Sequence, residues 1–543
     1  MKLVTVSEMK AIEKEADAMG LTYGMMMENA GSGVADVILE MDFVEKDEPQ
    51  ALALVGPGNN GGDALVALAH LAAQECAARA YVIGRKVKGD PLVERLRQAG
   101  GEIVLASEDE SFDMLRAFIE TSHVLLDGVL GTGIKLPLKR EVAAVLAAAG
   151  ETISGMDDPP YVVAVDCPSG VDCDTGEAAP EAIPASVTVC MAAVKQGLLK
   201  FPAFDLVGEL LVADIGLAQN LPSWAEVRHY VADAEMIEAF LPARPDDAHK
   251  GTFGTALVTA GSVNYTGAAL LAGKAAYRAG AGLVTLAVAA PLHGTLAGQF
   301  PEATWIILPH EMGVIAASAA DVLARNLDRA TALLLGPGFG LEDSTREFLE
   351  SLLKGGVSAR KSAGRIGFVR EADSTEEKKS TSLPPLVIDA DGLKLLAKID
   401  GWSKLLPALS VLTPHPGEMA VLTGLDKTAI QQDRLGTAQQ YSAKWGHVVV
   451  LKGAFTVIAA PDGRVSIIPV ATSALARAGT GDVLAGLIVG LRAQGVEAYE
   501  AAVAGAWIHG QAGIGAADRL GNTASVMAGD VLDAIPDVLW GMV

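Results

Sequence analysis

Ala51-Leu52-Ala53-Leu54-Val55 runs directly into Gly56-Pro57-Gly58-Asn59-Asn60-Gly61-Gly62-Asp63, and a helical pattern follows over Asp63–Arg79. An apolar run with no polar alternation, bounded by a glycine turn, reads as a strand buried on both faces. The same alternation extends outward in both directions. Helices are predicted over Ser7–Met19, with Ser7 as N-cap and Lys10, Glu13 and Lys14 on its wet face, and over Met25–Met41. Beyond the loop come strand Ala80–Ile83, helix Pro91–Ala99, strand Glu102–Leu105, helix Phe112–Glu120, strand His123–Leu126, helix Glu141–Ala149 and strand Tyr161–Val165. Such a pattern predicts an α/β protein whose N-terminal domain is a Rossmann-like three-layer α/β/α sandwich on a parallel sheet. Ligands of these folds sit at the carboxyl ends of the strands.

A chain of 543 residues exceeds the size at which one core stops growing, so more than one domain is expected. Half the residues are hydrophobic, with 59 glycines and only 5% aromatics, which suits glycine-turned α/β units. The formal net charge of −24 makes a nucleic-acid backbone an unsuitable partner. It does not exclude small anions, which backbone amides can hold locally. Cys76, Cys167, Cys173 and Cys190 form no CxxC pair and read as reduced thiols, with neither a disulfide framework nor a zinc site. Met1–Glu8 lacks the apolar core of a signal peptide, and apolar runs elsewhere break before the ~20 residues that span a bilayer. A soluble, cytoplasmic protein with no membrane partner is expected.

The polar, proline-containing stretch Gln219–Val227 reads as a boundary, giving domains at 1–218 and 228–543. The second unit starts near His229, with strands at Thr255–Thr259, Leu283–Ala287, Ala332–Leu335, Leu386–Ile388, Val411–Leu412 and Val448–Leu451. Gly355–Ser382 breaks the pattern with Ser, Lys, Arg and Glu and reads as a mobile surface insertion.

Gly56, Gly58 and Gly61 formally spell GxGxxG, so a dinucleotide-dependent dehydrogenase must be weighed. That fingerprint also wants an acid at the end of the next strand. Glu75 has the distance but falls in the predicted helix, and the strand ends Ile83-Gly84-Arg85. Three carboxylates instead follow strands or the loop itself: Asp63, Asp127 before Gly131-Thr132-Gly133-Ile134, and Asp166 in Asp166-Cys167-Pro168-Ser169-Gly170. Lys195 ends another apolar run. Val4–Met9, Met26-Met27-Glu28-Asn29-Ala30-Gly31, the GNNGGD loop, the GTG loop and the DxPSG segment together resemble the NAD(P)H-hydrate epimerase family over residues 1–218. The resemblance implies that Asn59, Asn60, Gly61, Gly62, Asp63, Gly131, Thr132, Gly133, Ile134, Lys135, Leu136, Pro137 and Asp166 contact the hydrated nicotinamide nucleotide. It also implies that Asn60, Asp127 and Ser169 hold a potassium ion, an oxygen-only set that suits a hard cation. Asp166 is the expected acid–base for inversion at C6, with Lys195 in support.

The second half carries His249-Lys250-Gly251-Thr252-Phe253-Gly254, Gly261-Ser262 with Tyr265–Ala269, and Gly336-Pro337-Gly338-Phe339-Gly340. Asp389-Ala390-Asp391-Gly392, Thr413-Pro414-His415-Pro416-Gly417-Glu418, Leu451–Thr456 and Gly479-Thr480-Gly481-Asp482 follow. The last runs into an apolar helix, so its amides and the helix dipole attract an anion with Asp482 beside it. Loops of this kind at successive strand ends suggest a ribokinase-like nucleotide cleft, and no GxxxxGK[ST] is present. Asp389 and Asp391 could cap the helix Gly392–Ala397, or Asp389 could help hold magnesium through water.

HKGxxG, GSxxYxGA, LTPHPGEMA and GTGDVLAG resemble the ADP- or ATP-dependent NAD(P)H-hydrate dehydratase family over residues 228–543. By that resemblance Ala268, Gly338, His415 and Asp482 meet the hydrate. Lys452, Gly453, Ala454, Phe455, Thr456 and Gly481 meet ADP with its Mg2+. Asp482 is the expected base for phosphoryl transfer to the C6 hydroxyl. The family's Asn before GTGD is replaced by Ala471–Ala478, where Ser473 or Arg477 can take over its phosphate contact. The expected protein is a fused, bifunctional enzyme acting on NAD(P)HX and ADP, as a homo-oligomer. Its rivals are a ribokinase-like small-molecule kinase with a nucleotide-sensing N-terminal domain, which would accumulate phosphorylated substrate, and a non-catalytic sensor indifferent to loss of Asp482.

Overall fold

The computed structural model describes residues 1–41, 48–355 and 383–542. The chain divides into two compact units, Met1–Val231 and Ala232–Val543.

In the first unit, Gln50–Val55, Val124–Gly128 and Val187–Met191 are buried along almost their whole length, which is why none alternates polar and apolar residues. Seven strands form one sheet in the spatial order Glu102–Leu105, Ala77–Val82, Gln50–Val55, Val124–Gly128, Tyr161–Val165, Val187–Met191, Glu209–Ala213, all parallel. Ala51, Ala53 and Val55 point into one hydrophobic cluster with Val34 and Leu65 of the helices Tyr23–Leu39 and Asn59–Ala73. Leu52 and Leu54 point into the other, with Leu115 and Leu146 of Asp113–Thr121 and Arg140–Ser154. The expected three-layer α/β/α sandwich is therefore present. Gln50–Val55 has its chain successor on one side and Val124–Gly128 on the other, so the strand order reverses there and opens a crevice above the two carboxyl ends.

The second unit repeats the logic. Its strands lie in the order Val465–Ile467, Val457–Ala459, Val448–Leu451, Val411–Leu412, Leu386–Ile388, Ala332–Leu335, Thr255–Thr259, Leu283–Ala289, Thr304–Leu308. The pairs from Val448–Leu451 to Thr304–Leu308 are parallel, and the two strands beyond Val448–Leu451 are antiparallel. The order reverses between Thr255–Thr259 and Ala332–Leu335. Helices Thr266–Arg278 and Thr480–Ala493 pack closely because Gly486 and Gly490 face the other helix; a Cβ there would lie 2.3 Å from the Ala272 carbonyl oxygen and 2.6 Å from that of Ala276.

Several expectations need correction. The first helix is Val6–Ala18 with Thr5, not Ser7, as N-cap: Thr5 and Glu8 form a capping box. The helix expected over Asp63–Arg79 starts at Asn59 and stops at Ala73, after which Glu75 turns the chain at φ +65° and Ala77–Arg79 are already strand. Lys195 does not end a strand of the main sheet. It lies in Val194–Lys195, which pairs with Leu3–Val4. Val187–Met191 and Glu209–Ala213 complete the sheet without having been expected. Residues 356–382 of the expected insertion lie outside the described residues. Among the described residues no helix is long and apolar enough to cross a membrane.

Candidate active sites

The glycine loop after Gln50–Val55 closes tightly on itself. A Cβ at Gly56 would lie 1.8 Å from the Val129 carbonyl oxygen, and one at Gly61 2.1 Å from that of Gly56, so only glycine fits at either. This packing drives the start of helix Asn59–Ala73 against the neighbouring strand ends. Asn60 Nδ2 donates to the Leu130 and Val165 carbonyls at 3.2 and 2.6 Å. Asp127, fully buried, accepts from Ser169 N at 2.7 Å, while Ser169 Oγ accepts from Leu130 N at 2.8 Å. Burial pushes the Asp127 carboxyl up, against the hydrogen bonds from Ser169. Asn60, Asp127 and Ser169 are thus brought together around Leu130.

Beside them opens a cavity of about 250 Å³. Asn59, Asn60, Asp63, Thr132, Asp166 and Lys195 line it with Glu13, Met26, Met27, Met191 and others. Asp166 sits at φ +65° just past its strand. Its Oδ1 accepts from Met191 N at 2.9 Å and from Lys195 Nζ, and Lys195 also donates to the Met191 carbonyl at 3.1 Å. Lys195 is only 1% exposed: burial would lower its ammonium, but the charge of Asp166 outweighs this and holds it above the ordinary lysine value. Burial, then the charges of Asp166 and Glu13, push the Asp63 carboxyl well above its usual range. Of the other expected contacts, Gly61 packs on Gly56, Gly62 on Met27 and Gly131 on the Asn60 side chain, while Gly133, Lys135 and Pro137 are exposed. Ile134 and Leu136 are half-buried in the same loop, away from the cavity lining. At the strand end where a dehydrogenase would carry an acid, Arg85 instead pairs with Asp90 at 2.8 Å and donates to the Gly58 carbonyl at 3.1 Å. Sequence reasoning missed Glu13, placing it on the wet face. Val6, Met9, Lys10 and Glu13 in fact form one stripe of the helix along the cavity, a pattern visible only once the neighbour of that face is known.

In the second unit the strand ends converge on Lys452. Its ammonium donates to Asp389 Oδ1 at 2.7 Å, which also accepts from Thr413 Oγ1 at 2.7 Å, and stands 3.8 Å from Glu418. Burial opposes the Lys452 charge, and Asp389 with Glu418 outweighs burial and raises its pKa. Neither Asp389 nor Asp391 caps the helix that follows, contrary to the sequence expectation. Helix Asp391–Leu396 begins after Ala390 at φ +51°, and Asp391 accepts from Gly340 N at 3.0 Å. His415 is aimed by its own cap: Nδ1 accepts from Gly417 N and Glu418 N at 2.9 and 3.3 Å, opening helix Pro416–Thr423. Burial works against ionisation of Glu418, but the His415 side chain and the Lys452 charge hold its carboxyl down at about 2.

Gly479, at φ +91°, caps helix Thr480–Ala493, and a Cβ on Gly481 would lie 3.5 Å from Lys452 Nζ. Asp482 follows in that first turn. Burial pushes its carboxyl up to about 7, the charge of Asp389 adds to this, and Lys452 opposes it. A cavity of about 460 Å³ is lined by His415, Lys452, Gly453, Ala454, Thr456, Arg477, Thr480, Gly481 and His509. Phe455 is not among its lining residues; it turns at φ +54° and its N donates to the Val470 carbonyl at 3.0 Å. Ala268 and Gly338 meet each other at the reversal of strand order, where a Cβ on Gly338 would lie 2.9 Å from that of Ala268. Arg477 lines the cavity, whereas Ser473 is tied to Thr523 at 2.8 Å. His509 escaped sequence reasoning because it stands in an alanine-rich helix with no motif around it. Burial holds its imidazole at about 4, and among the described residues its Nε2 has no hydrogen-bond partner.

Residues 24–197 match the family described as the YjeF-related protein N-terminus, and residues 256–537 match the family described as NAD(P)H-hydrate dehydratase. A bifunctional NAD(P)H-hydrate repair enzyme Nnr of Moorella thermoacetica is 35% identical over 545 residues, covering 99% of this chain and 97% of that relative. One from Salinibacter ruber is 35% identical over 560 residues, covering 99% and 96%. Among solved structures, an ADP/ATP-dependent NAD(P)H-hydrate dehydratase from Bacillus subtilis, co-crystallized with ATP/Mg2+, covers 58% of this chain and 99% of its own at 29% identity and a TM-score of 0.45. On the two family matches and the full-length identity, the chain belongs to the bifunctional NAD(P)H-hydrate repair enzymes, joining an epimerase domain to a dehydratase domain.

Proposed function

We propose that residues 1–218 interconvert the R and S hydrates of NAD(P)H, and that residues 228–543 dehydrate the S form at the expense of ADP, releasing AMP and phosphate. The observation that carries the reading is the placing of Lys452 and the helix-start residues Thr480 and Gly481 on one cavity, with Asp482 next in the same turn. Lys452 and the amides bind the nucleotide phosphates, with Gly453, Ala454, Thr456 and Arg477 around the rest of ADP. Asp482, ionised above about pH 7, takes the proton of the C6 hydroxyl as its oxygen attacks the β-phosphorus of ADP. The ring nitrogen's electron pair then expels phosphate, and loss of a C5 proton restores the dihydronicotinamide. Ala268, Gly338 and His415 hold the ring. Asp389 keeps Oδ2 free of the bonds made by Oδ1, so it fits a water-mediated contact to Mg2+ carried by ADP. That ion would neutralise phosphate charge.

In the epimerase, Asp166 is the acid–base, and Asn59, Asp63 and Thr132 meet the nucleotide with the amides of the two glycine loops. Asn60, Asp127 and Ser169 each carry a side-chain oxygen, the donor chemistry that suits K+, and they lie beside the Leu130 and Val165 carbonyls, which accept from Asn60 Nδ2. A bound K+ would supply positive charge beside the anionic substrate. The reading extends to a cytoplasmic homo-oligomer, consistent with large apolar side chains left open on the surface, such as Met312 at 95% and Trp540 at 88% exposure. The test is to give the purified protein mixed R and S hydrates with ADP and follow dihydronicotinamide absorbance. Complete recovery supports both activities, recovery that stops at the S fraction removes the epimerase, and phosphorylated hydrate without dihydronicotinamide turns the second unit into a kinase.

A further inference from the structure

The cavity of the first unit holds more acid than its buried base can neutralise. Glu13, Asp63 and Asp166 line it against one buried ammonium, Lys195, with Lys10 at the exposed rim. Asp166 is committed, since its Oδ1 receives both Lys195 and Met191. The carboxyls of Glu13 and Asp63 make no hydrogen bond or ion pair among the described residues. Asp63 stands on helix Asn59–Ala73, which starts after Gln50–Val55, while Asp166 follows Tyr161–Val165, two strands along the same parallel sheet. Glu13 comes from elsewhere: with Val6, Met9 and Lys10 it forms the face that helix Val6–Ala18 turns to the cavity.

We propose that Glu13 is a second catalytic acid–base of the epimerase, serving the face of the ring opposite the one Asp166 serves. The inference rests on the epimerase reading above. Inversion at C6 takes oxygen away from one face and returns it to the other, and one carboxylate held by Lys195 cannot reach both. Glu13 gives its proton to the departing hydroxyl. The C6–O bond breaks, its electron pair leaves with water, and the ring nitrogen's pair closes a C=N bond. A water on the other face then bonds to C6 and passes its proton to Asp166. In the opposite direction the two carboxyls exchange roles, and exchange with water at the cavity mouth resets their protons. Burial raises the Glu13 pKa, Lys195 opposes, Asp166 adds to the rise and Lys10 opposes, and the net upward shift favours the protonated form that a general acid needs.

The test uses the full-length enzyme, the R hydrate and no nucleotide, so that the second unit idles, with the S hydrate measured by chromatography. Glu13→Gln is expected to lose about 100-fold or more in kcat with KM little changed, and Glu13→Asp to regain part of it. The wild-type rate should fall as pH rises past the Glu13 pKa, with Asp63, Asp166, Lys195 and Lys10 as the other charges facing it, and Glu13→Gln should lack that limb. Dehydration of the S hydrate with ADP should be untouched in both variants. A Glu13→Gln rate within about 3-fold of wild type, or a loss confined to KM, overturns the role of Glu13. A wild-type enzyme that leaves the R hydrate at its uncatalysed rate overturns the epimerase reading itself.

Discussion

Asp482, the proposed base for phosphoryl transfer, sits where burial and the charge of Asp389 make a carboxylate uncomfortable. Asp482→Asn removes the proton acceptor while keeping the shape of the helix start. Dehydration of the S hydrate should fall by about 100-fold or more, with ADP binding by calorimetry nearly unchanged. Since the carboxyl ionises only near pH 7 in the free protein, wild-type kcat/KM for dehydration should drop about tenfold per pH unit below that value and level off above it. The same group makes stability depend on pH. Its folded pKa lies above the unfolded value of about 4, so the native state binds the proton more tightly, and stability is lost as pH rises from about 4 to about 7. Asp482→Asn is free of this loss. Its stability advantage over wild type should therefore grow by on the order of 1–3 kcal/mol between pH 5 and pH 8, read by urea unfolding without ligand. An advantage that shrinks with pH would mean that Asp482 is ionised and satisfied in the folded protein.

Elements were legible wherever burial was symmetrical. Thr255–Thr259, Ala332–Leu335, Leu386–Ile388 and Val448–Leu451 fall where uninterrupted apolar runs predict them, because a strand covered on both faces has one solution. Boundaries set by a single backbone angle were not. Nothing in the composition around Glu75 announces φ +65°, so the helix pattern ran on past its end into Ala77–Arg79. Polar residues that face a cavity, such as Glu13, look like surface residues until their neighbours are known. Glycine-rich loops stood out in the sequence as candidate sites, whereas glycines inside helices passed as neutral composition. Gly486 is the sharpest of these: its missing side chain is what lets Thr480–Ala493 lie against the backbone of Thr266–Arg278. Gly486→Ala would gain about 1 kcal/mol of intrinsic helix propensity on a free helix. Here the added carbon meets a carbonyl at 2.3 Å, and pushing the helices apart should cost about 2–3 kcal/mol net, lowering the melting temperature in a thermal scan. Because Asp482 rides on the same helix, dehydration should fall with it while R-to-S conversion holds.

The whole molecule carries two chemistries in two compact units: the first unit's cavity opens at the reversal of strand order in its parallel sheet, and the second unit's lies beyond the ends of Val411–Leu412 and Val448–Leu451. Having both on one chain follows from what the dehydratase cannot do. A base and a phosphoryl donor fixed on one side of C6 handle a single configuration, so the other epimer accumulates unless something inverts it. Each activity should then fail alone. Asp166→Asn should leave dehydration of pure S hydrate at the wild-type rate, but with an R and S mixture and excess ADP the absorbance should rise to the S fraction and continue only at the slow uncatalysed rate of epimerisation. Asp482→Asn should do the reverse, interconverting the epimers at full rate while producing almost no dihydronicotinamide. Mixing the two variants in equal amounts should restore complete recovery, since free hydrate passes between molecules. Its rate should rise with total protein if transfer is through solution. If the mixture stayed at the S fraction, the hydrate would have to be handed over within one chain, and two independent sites would no longer describe the enzyme.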